Sequence, residues 1–454
     1  MKVVVTGATG FVGTAIVRDL LAAGHTVLAL TRDVERAVRR LPARCRALAW
    51  NPADALDASA LRGADAVVHL AGEGVADARW TAARKRAIRD SRVDTSLALV
   101  RALGQLDASV RPRVLVSASA IGWYGDRSDT PLDEHSSPGT GFLADVCREW
   151  EQAVFDAQSL NVRTVAVRIG VVLGRDGGAL KPLLPMFRLG LGARVGSGRQ
   201  WLSWIHLHDL VGLLRTVVEN PRAAGPINGV APEPVTNAAF TAALGRALHR
   251  PAFLWVPATI LRAVFGEMSG VLLASQRVEP RAARQLGFSF QFSTLRSALD
   301  DLCADTSHEL ITEQRLSRPP DEVFPFFSDP ANLEQITPSF LRFRVLGATT
   351  PHLGNGTLID YALRLHGIPL RWQSLIESWM PNRAFVDVQT RGPYALWRHT
   401  HEFEAVDGGT VIRDRVRYRL PCGALGDLIA GSMVRRDLEA VFDFRRQRIE
   451  ELLA

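Results

Sequence analysis

The sequence predicts an α/β unit built on a doubly wound parallel sheet, followed by a separate α+β unit. Three observations carry this expectation. A short apolar run, Val3–Thr6, leads into glycines and then into a helical stretch, Thr14–Ala23. Further apolar runs recur at intervals that leave room for crossover helices. After about residue 308 this alternation gives way to successive strands closed by one long amphipathic helix. At 454 residues the chain exceeds what one compact core usually holds, so two domains are expected.

The elements follow in order. Val3–Thr6, Thr26–Thr31, Ala66–Leu70, Arg113–Ser117 and Thr164–Ile169 read as strands. Their near-continuous Val, Leu and Ala content suits strands buried on both faces. From about 180 to 300 the pattern turns more helical and richer in Gly and Pro, as for a smaller substrate-side lobe. Periodicity stops near Cys303–Ser307. The second unit then opens with the alternating strand His308–Leu316 and a helical stretch, Asp321–Asn332. Strands are expected around 341–347, 356–366, 369–380, 384–391, 396–406 and 409–419. A helix from about Gly423 to Leu453 ends it, with Val434, Leu438, Val441, Phe442 and Ile449 close to a helical repeat on one face. A curved antiparallel sheet gripping that helix is the economical reading. The expected domains are 1–303 (1–180 mainly sheet core, 181–303 mainly substrate lobe) and 304–454.

Composition narrows the function. Hydrophobic residues make up 47% and charged residues 22%, the balance of an ordinary folded domain. No apolar run reaches the ~18–20 residues of a membrane span. The first residues enter a strand pattern without a signal-peptide layout, so a cytoplasmic protein is expected. The net charge is +7, yet the basic residues are scattered and nearly all Arg, with Lys only at 2, 85 and 181. No basic block or aromatic-basic face suggests nucleic acid. Cys45, Cys147, Cys303 and Cys422 form no CxxC and no disulfide framework. His399 and His401 share a strand face, but with no clear third ligand no metal is expected.

The segment Val5-Thr6-Gly7-Ala8-Thr9-Gly10-Phe11-Val12-Gly13 carries the chemistry. Following a strand and opening a helix, it fits a Rossmann-type dinucleotide loop. Gly7 allows the tight turn, Gly10 lets backbone approach a pyrophosphate, and Gly13 lets helix pack on strand. The second strand ends Leu30-Thr31-Arg32 where NAD enzymes usually place a carboxylate. A guanidinium pairs with a 2′-phosphate, so NADP(H) is expected, with NAD the alternative. Asp33 is a possible competitor one residue on. Leu70-Ala71-Gly72 fits a small-residue turn beneath the adenine-ribose. His69, mid-strand among apolar neighbours, reads as a packed histidine.

Several segments resemble a known group. They are the TGxxGxxG loop at 6–13, Leu70-Ala71-Gly72-Glu73, Arg89-Asp90-Ser91-Arg92, Ser117-Ala118-Ser119-Ala120-Ile121-Gly122 with Tyr124-Gly125, Arg168-Ile169-Gly170-Val171-Val172-Leu173-Gly174, and Gly196-Ser197-Gly198-Arg199-Gln200-Trp201-Leu202-Ser203-Trp204-Ile205-His206. Together they resemble the atypical extended short-chain dehydrogenase/reductases called epimerase family proteins, over residues 1–302. The resemblance implies NADP contacts at Thr31, Arg32, Leu70, Ala71, Arg92 and around Ile169 to Val171. The 308–454 layout resembles the helix-grip superfamily of polyketide cyclases, START-like and coenzyme-Q-binding proteins, which implies a cavity for an apolar ligand.

One part of the superfamily pattern is missing. Its reductases use a Tyr and a Lys four residues later, beside a Ser, to move a proton while hydride transfers. No YxxxK occurs here, and the expected helix places Leu143 and Cys147 at those positions. Ser119 matches the superfamily's Ser and Tyr124 is a candidate proton donor. Glu73, Trp201, Trp204 and His206 are candidate substrate residues, each with a structural role as the competing reading. Lys85 and Asp145 are further titratable groups. The expected function is an NADP(H)-binding oxidoreductase or epimerase of a small substrate; a non-catalytic NADP(H)-binding sensor coupled to the tail is the alternative.

Overall fold

A computed structural model describes residues 1–52, 54–303, 307–421 and 423–453. The chain divides into two compact units, Met1–Ala304 and Asp305–Ala454. The junction 304–306 and the Cys422 thiol lie outside the described residues. Among those described, no helix is long and apolar enough to cross a membrane.

The first unit holds seven parallel strands. Across the sheet they run Gly225–Gly229, Arg163–Ile169, Val114–Ala120, Ala66–His69, Lys2–Thr6, Thr26–Thr31 and Arg46–Ala49. The central five match the expected strands to within a few residues. Alternation along Val3, Val4 and Val5 feeds two cores. Val3 and Val5 face helices Phe11–Ala22 and Leu207–Glu219, whose Ile16, Leu20, Leu210 and Leu214 are buried. Val4 faces Ala82–Gly104 and Phe142–Phe155 through Leu99, Leu103 and Trp150.

Both edge strands escape a sequence reading for physical reasons. Arg46–Ala49 is short and largely exposed, so no apolar run marks it. Gly225–Gly229 reads Gly-Pro-Ile-Asn-Gly, a breaker composition that only an edge position tolerates. With the helix Leu207–Glu219, this strand returns the chain to the main sheet. Residues 207–229 thus belong to the main sheet and its helix layer, and the rest of 181–303 lies outside that sheet. A separate core joins Leu173, Leu180 and Trp204 to Phe240, Leu244 and Leu299.

The second unit is a seven-stranded antiparallel sheet. Its order is His308–Leu316, Gly409–Arg419, Leu396–Val406, Ala384–Arg391, Ile368–Met380, Leu358–Leu365 and Arg344–Ala348. The helix Ala424–Leu453 buries Val434, Leu438, Phe442 and Ile449, and Val441 lines a cavity beside them. The expected helical stretch 321–332 is two helices, Pro320–Ser328 and Asn332–Gln335. Asp329-Pro330 separates them, because a residue before proline is pushed out of the helical region.

Candidate functional site

The strand Lys2–Thr6 lies between Ala66–His69 and Thr26–Thr31, and the order of connections reverses across it. In such sheets ligands bind at the carboxyl ends of the strands at this switch point. A cleft of about 280 Å³ opens there, lined by Thr6–Gly10, Leu30–Arg32, Arg36, Trp50, Pro52, Leu70–Glu73 and Ser91. Of the expected cofactor residues, Gly7, Thr9, Gly10, Thr31, Arg32, Leu70, Ala71 and Gly72 line this cleft, and Phe11, Val12, Gly13, Arg92, Ile169 and Val171 lie outside its lining. Arg36, Trp50 and Pro52 were not anticipated. They lie one helical turn past the second strand and just past the short edge strand, where spacing alone gives no signal.

The helix Phe11–Ala22 begins at Gly10 with no side-chain cap. Its first amide groups are left for an anion, as a pyrophosphate site requires. Arg40 Nη1 donates to the Thr9 carbonyl at 3.2 Å and steadies the loop. Phe11 packs on the loop after Leu173, where a Cβ on Gly177 would fall 2.2 Å from its ring. Val12 packs against the sheet core, and Ile169 and Val171 end and follow the strand Arg163–Ile169.

The competition between Arg32 and Asp33 has a structural answer. Asp33 caps the helix Val34–Arg40, its carboxylate accepting from the Arg36 amide at 2.8 Å. Arg32 is instead open, its side chain 71% exposed, with Glu73 Oε1 3.7 Å away. Arg84 also pairs with Glu73, at 3.3 Å. The donor set at the end of this strand is therefore cationic and fits a 2′-phosphate.

Beneath the cleft, Thr6 Oγ1 and His69 Nδ1 are 2.7 Å apart, and Thr6 accepts from the Ala71 amide at 3.3 Å. Arg92 holds the turn by donating from Nη2 to the Glu73 carbonyl at 2.9 Å and from Nη1 to the Ile88 carbonyl at 2.9 Å. Burial, reinforced by the Arg92 charge, lowers the His69 pKa to about 3. An unfolded histidine titrates near ~6.5. Below that pH the unfolded chain takes up a proton that folded His69 refuses. Stability should thus fall by up to about 1.4 kcal/mol per pH unit between about pH 6.5 and 3. Above pH 6.5 this contribution is flat. Denaturant titrations of wild type and His69→Gln should show a shallower pH slope in the variant; identical slopes would reject the assignment.

The residues considered for catalysis belong to a buried polar network. Ser119 Oγ donates to Glu151 Oε1 at 2.6 Å. Arg168 grips the same carboxylate with two bonds, 2.9 and 2.8 Å, and donates to the Tyr124 hydroxyl at 3.1 Å. That hydroxyl in turn lies 2.7 Å from Asn228 Oδ1. Tyr124 is fully buried. Burial pushes its pKa up to about 12 despite Arg168 beside it. Ser119 is likewise buried, and both side chains are hydrogen-bonded within this network. Glu151 and Asn228 follow unremarkable patterns on their helix and strand, and Arg168, though it opens one of the segments that carry the resemblance, was given no role because its partners are distant in sequence.

Cys147 lies below Ser119-Ala120, its Sγ 3.7 Å from the Ala120 carbonyl, and Leu143 lies under Gly122. The helix thus takes the expected place without the Tyr and Lys. Burial raises the Cys147 thiol to about 12, so it offers no thiolate in their stead. Lys85 forms an ion pair with Glu267 and lies over the Phe142 ring at 5.3 Å. Asp145 is an exposed partner of Arg148.

Two candidate substrate residues are buried. Trp204 is fully buried in the lobe core, its indole donating to the Glu233 carbonyl at 2.8 Å. His206 caps the helix Leu207–Glu219, accepting from the His208 amide at 3.1 Å, and stacks on Phe292. Its Nε2 lies 3.3 Å from Asp301 Oδ2. Trp201 is partly exposed, bonded to Asp129 at 2.6 Å and covered by Arg277.

The second unit holds a partly open cavity of about 180 Å³, lined mostly by Phe, Leu, Trp and Ile side chains. Its polar end carries Asp387, His399, His401 and Arg445.

Comparisons with known proteins agree with the first unit. Residues 3–230 match the model of the NAD dependent epimerase/dehydratase family, and 256–302 match a domain of unknown function, DUF1731. The chain is 45% identical over 299 residues to the Mycobacterium bovis "Epimerase family protein Mb2239", covering 65% of this chain and 96% of that protein. A crystal structure of "human epimerase family protein SDR39U1 (isoform2) with NADPH" superposes with TM-score 0.60 at 35% identity, over 67% of this chain and all of that one. A nucleoside-diphosphate sugar epimerase from Corynebacterium glutamicum gives 0.54 at 34% identity, over 67% of this chain and 59% of that one. The chain belongs to the NAD dependent epimerase/dehydratase family, among the SDR39U1-type epimerase family proteins.

Proposed function

We propose that the first unit is an NADP(H)-binding oxidoreductase or epimerase of a small substrate, and that the tail is a helix-grip domain that binds an apolar ligand. One observation carries the cofactor choice: Asp33 is spent as a helix cap while Arg32 stays open at the cleft. The human relative crystallised with NADPH supports the same choice. Ser119 and the cofactor-side residues Gly7, Thr9, Gly10, Phe11, Val12, Gly13, Gly72, Arg92, Ile169 and Val171 keep their proposed roles in this reading. Trp201 and Glu73 remain the substrate-side candidates.

Titration of the full chain with each cofactor tests it. NADPH should bind more tightly than NADH. Losing one charge-assisted phosphate contact costs about 1.5–3 kcal/mol. Arg32→Ala should therefore weaken NADPH by roughly 10- to 100-fold and NADH by little. Equal wild-type affinities would reject the preference. A second reading, a non-catalytic NADP(H) sensor, draws on the locked Tyr124 and Ser119. Hydride exchange from NADPH to a carbonyl panel separates the two, and unchanged turnover in Ser119→Ala would remove Ser119 from the chemistry.

A further inference from the structure

The polar end of the tail cavity is organised by strand register. His399 and His401 stand two apart on Leu396–Val406, so both rings leave the same face, with centroids 3.7 Å apart. Asp387 lies opposite His399 on one neighbouring strand, and Asp414 lies opposite His401 on the other.

Asp414 takes one nitrogen from each ring. Its Oδ1 is 2.9 Å from His399 Nε2 and 2.8 Å from His401 Nδ1, the second contact lying off the line of a straight hydrogen bond. The other two nitrogens, His399 Nδ1 and His401 Nε2, approach a single atom, Asp387 Oδ1, at 3.5 and 3.3 Å. A carboxylate beside one imidazole nitrogen selects that nitrogen to carry the hydrogen. Asp414 holds His399 by a hydrogen bond at Nε2, which leaves His399 Nδ1 turned to Asp387, whereas His401 bonds Asp387 Oδ1 through Nε2 and keeps a buried Nδ1 with no hydrogen-bond partner among the described residues. A metal ion at this point would replace the hydrogen between His401 Nε2 and Asp387, and Asp414 stands 2.8 Å from His401 Nδ1 to take the hydrogen moved there. The three potential ligand atoms lie within 4.8 Å of one another. Ligand atoms around a tetrahedral ion at ~2.0–2.1 Å are themselves about 3.4 Å apart, close to the two Asp387 separations.

We propose that Asp387 Oδ1, His399 Nδ1 and His401 Nε2 bind one divalent transition-metal ion, of the zinc or iron(II) class, with Asp414 orienting both imidazoles. Two histidines and a carboxylate leave coordination positions open, as in catalytic rather than structural metal sites. The ligands line the cavity, so the open positions face its contents. Arg445 lines the same cavity, lies over the Phe442 ring, and has a buried Nε with no hydrogen-bond acceptor among the described residues. Metal and guanidinium together suit an amphipathic molecule with an oxygen-donor, acidic head. This ligand assignment rests on the reading of the tail as an apolar-ligand binder; the metal site does not.

The competing arrangement is a proton held by one imidazole, and metal analysis separates the two. Untagged full-length protein is stripped with chelator, offered Zn(II), Co(II) or Fe(II), desalted and assayed by elemental mass spectrometry. One ion per chain is expected, and the Co(II) form should show visible bands of a nitrogen- and oxygen-ligated ion. Asp414→Asn should weaken binding about 10- to 100-fold. His399→Ala and His401→Ala should weaken it more, while His366→Ala, a histidine paired with Asp437, should not change it. Negligible uptake of all three metals by the folded wild type overturns the site, as does full uptake by either alanine variant. Octanohydroxamate should shift the cobalt bands at concentrations where acetohydroxamate does not. A bound metal with no such shift overturns the ligand assignment alone. Octanoate displacing a fluorescent apolar probe from metal-free wild type, with no metal uptake, overturns the metal site alone.

Discussion

Glu151→Ala is expected to destabilise the first unit by about 3–5 kcal/mol, a large share of the ~5–15 kcal/mol that holds a typical domain. Glu151 and Arg168 form a two-bond ion pair whose side chains are each only 3% exposed. Burial disfavours the charged guanidinium, but the bonds and charge of Glu151 outweigh it and hold Arg168 more firmly protonated than usual. Removing the carboxylate leaves that cation in the interior with only Tyr124, the Glu134 carbonyl and the Trp123 ring around it. Ser119 loses its acceptor at the same time. Replacing the pair together, Glu151→Leu with Arg168→Met, removes the stranded charge and should recover much of the loss. Denaturant unfolding of the full chain, followed through the first-unit transition, measures both. A loss below about 1 kcal/mol for Glu151→Ala would show that the pair contributes little.

The glycine loop gives the second large effect, on binding. Gly7 has φ +66°, and a Cβ there would fall 2.6 Å from the Leu70 carbonyl carbon and oxygen. A Cβ on Gly13 would fall 2.1 Å from the Gly7 carbonyl oxygen and 2.8 Å from the Ala8 Cα. All of these are backbone atoms, which cannot swing aside as a side chain can. Gly7→Ala must therefore push the loop away from the Leu70-Ala71 turn, and both line the cleft. NADPH affinity should drop by more than about 100-fold, equivalent to roughly 2.7 kcal/mol. Gly13→Val should separate helix from strand and cost folding stability as well. Calorimetric titration of the intact chain reads the first effect, and thermal unfolding the second. Gly7→Ala binding within about threefold of wild type would mean that the loop does not approach the cofactor this closely.

Much of the architecture could be read from residues in order. The five central strands announce themselves as apolar runs because both faces of a parallel sheet are covered. The tail strands announce themselves by alternation, because an antiparallel sheet covers one face more than the other. The edge strands Arg46–Ala49 and Gly225–Gly229 carry neither signal. Trp204 shows a similar limit. Its place in a distinctive motif suggests a ring for stacking, yet only packing shows that Leu173, Leu180 and Phe240 surround it.

By itself the sequence determined that this chain opens with a dinucleotide loop, that a cation ends the second strand, and that the Tyr and Lys of related reductases are absent. Those are matters of residue type and local spacing, which a linear pattern holds completely. Only the tertiary structure decided which charges are already spent. Asp33 is taken by a helix end, Glu151 and Arg168 by each other, and Tyr124 by Asn228. Asp387 and Asp414 reach the two tail histidines only because sheet register sets them opposite, 12 and 13 residues away along the chain. The partners that set a side chain's availability are brought together by packing, and no spacing along the chain encodes that distance.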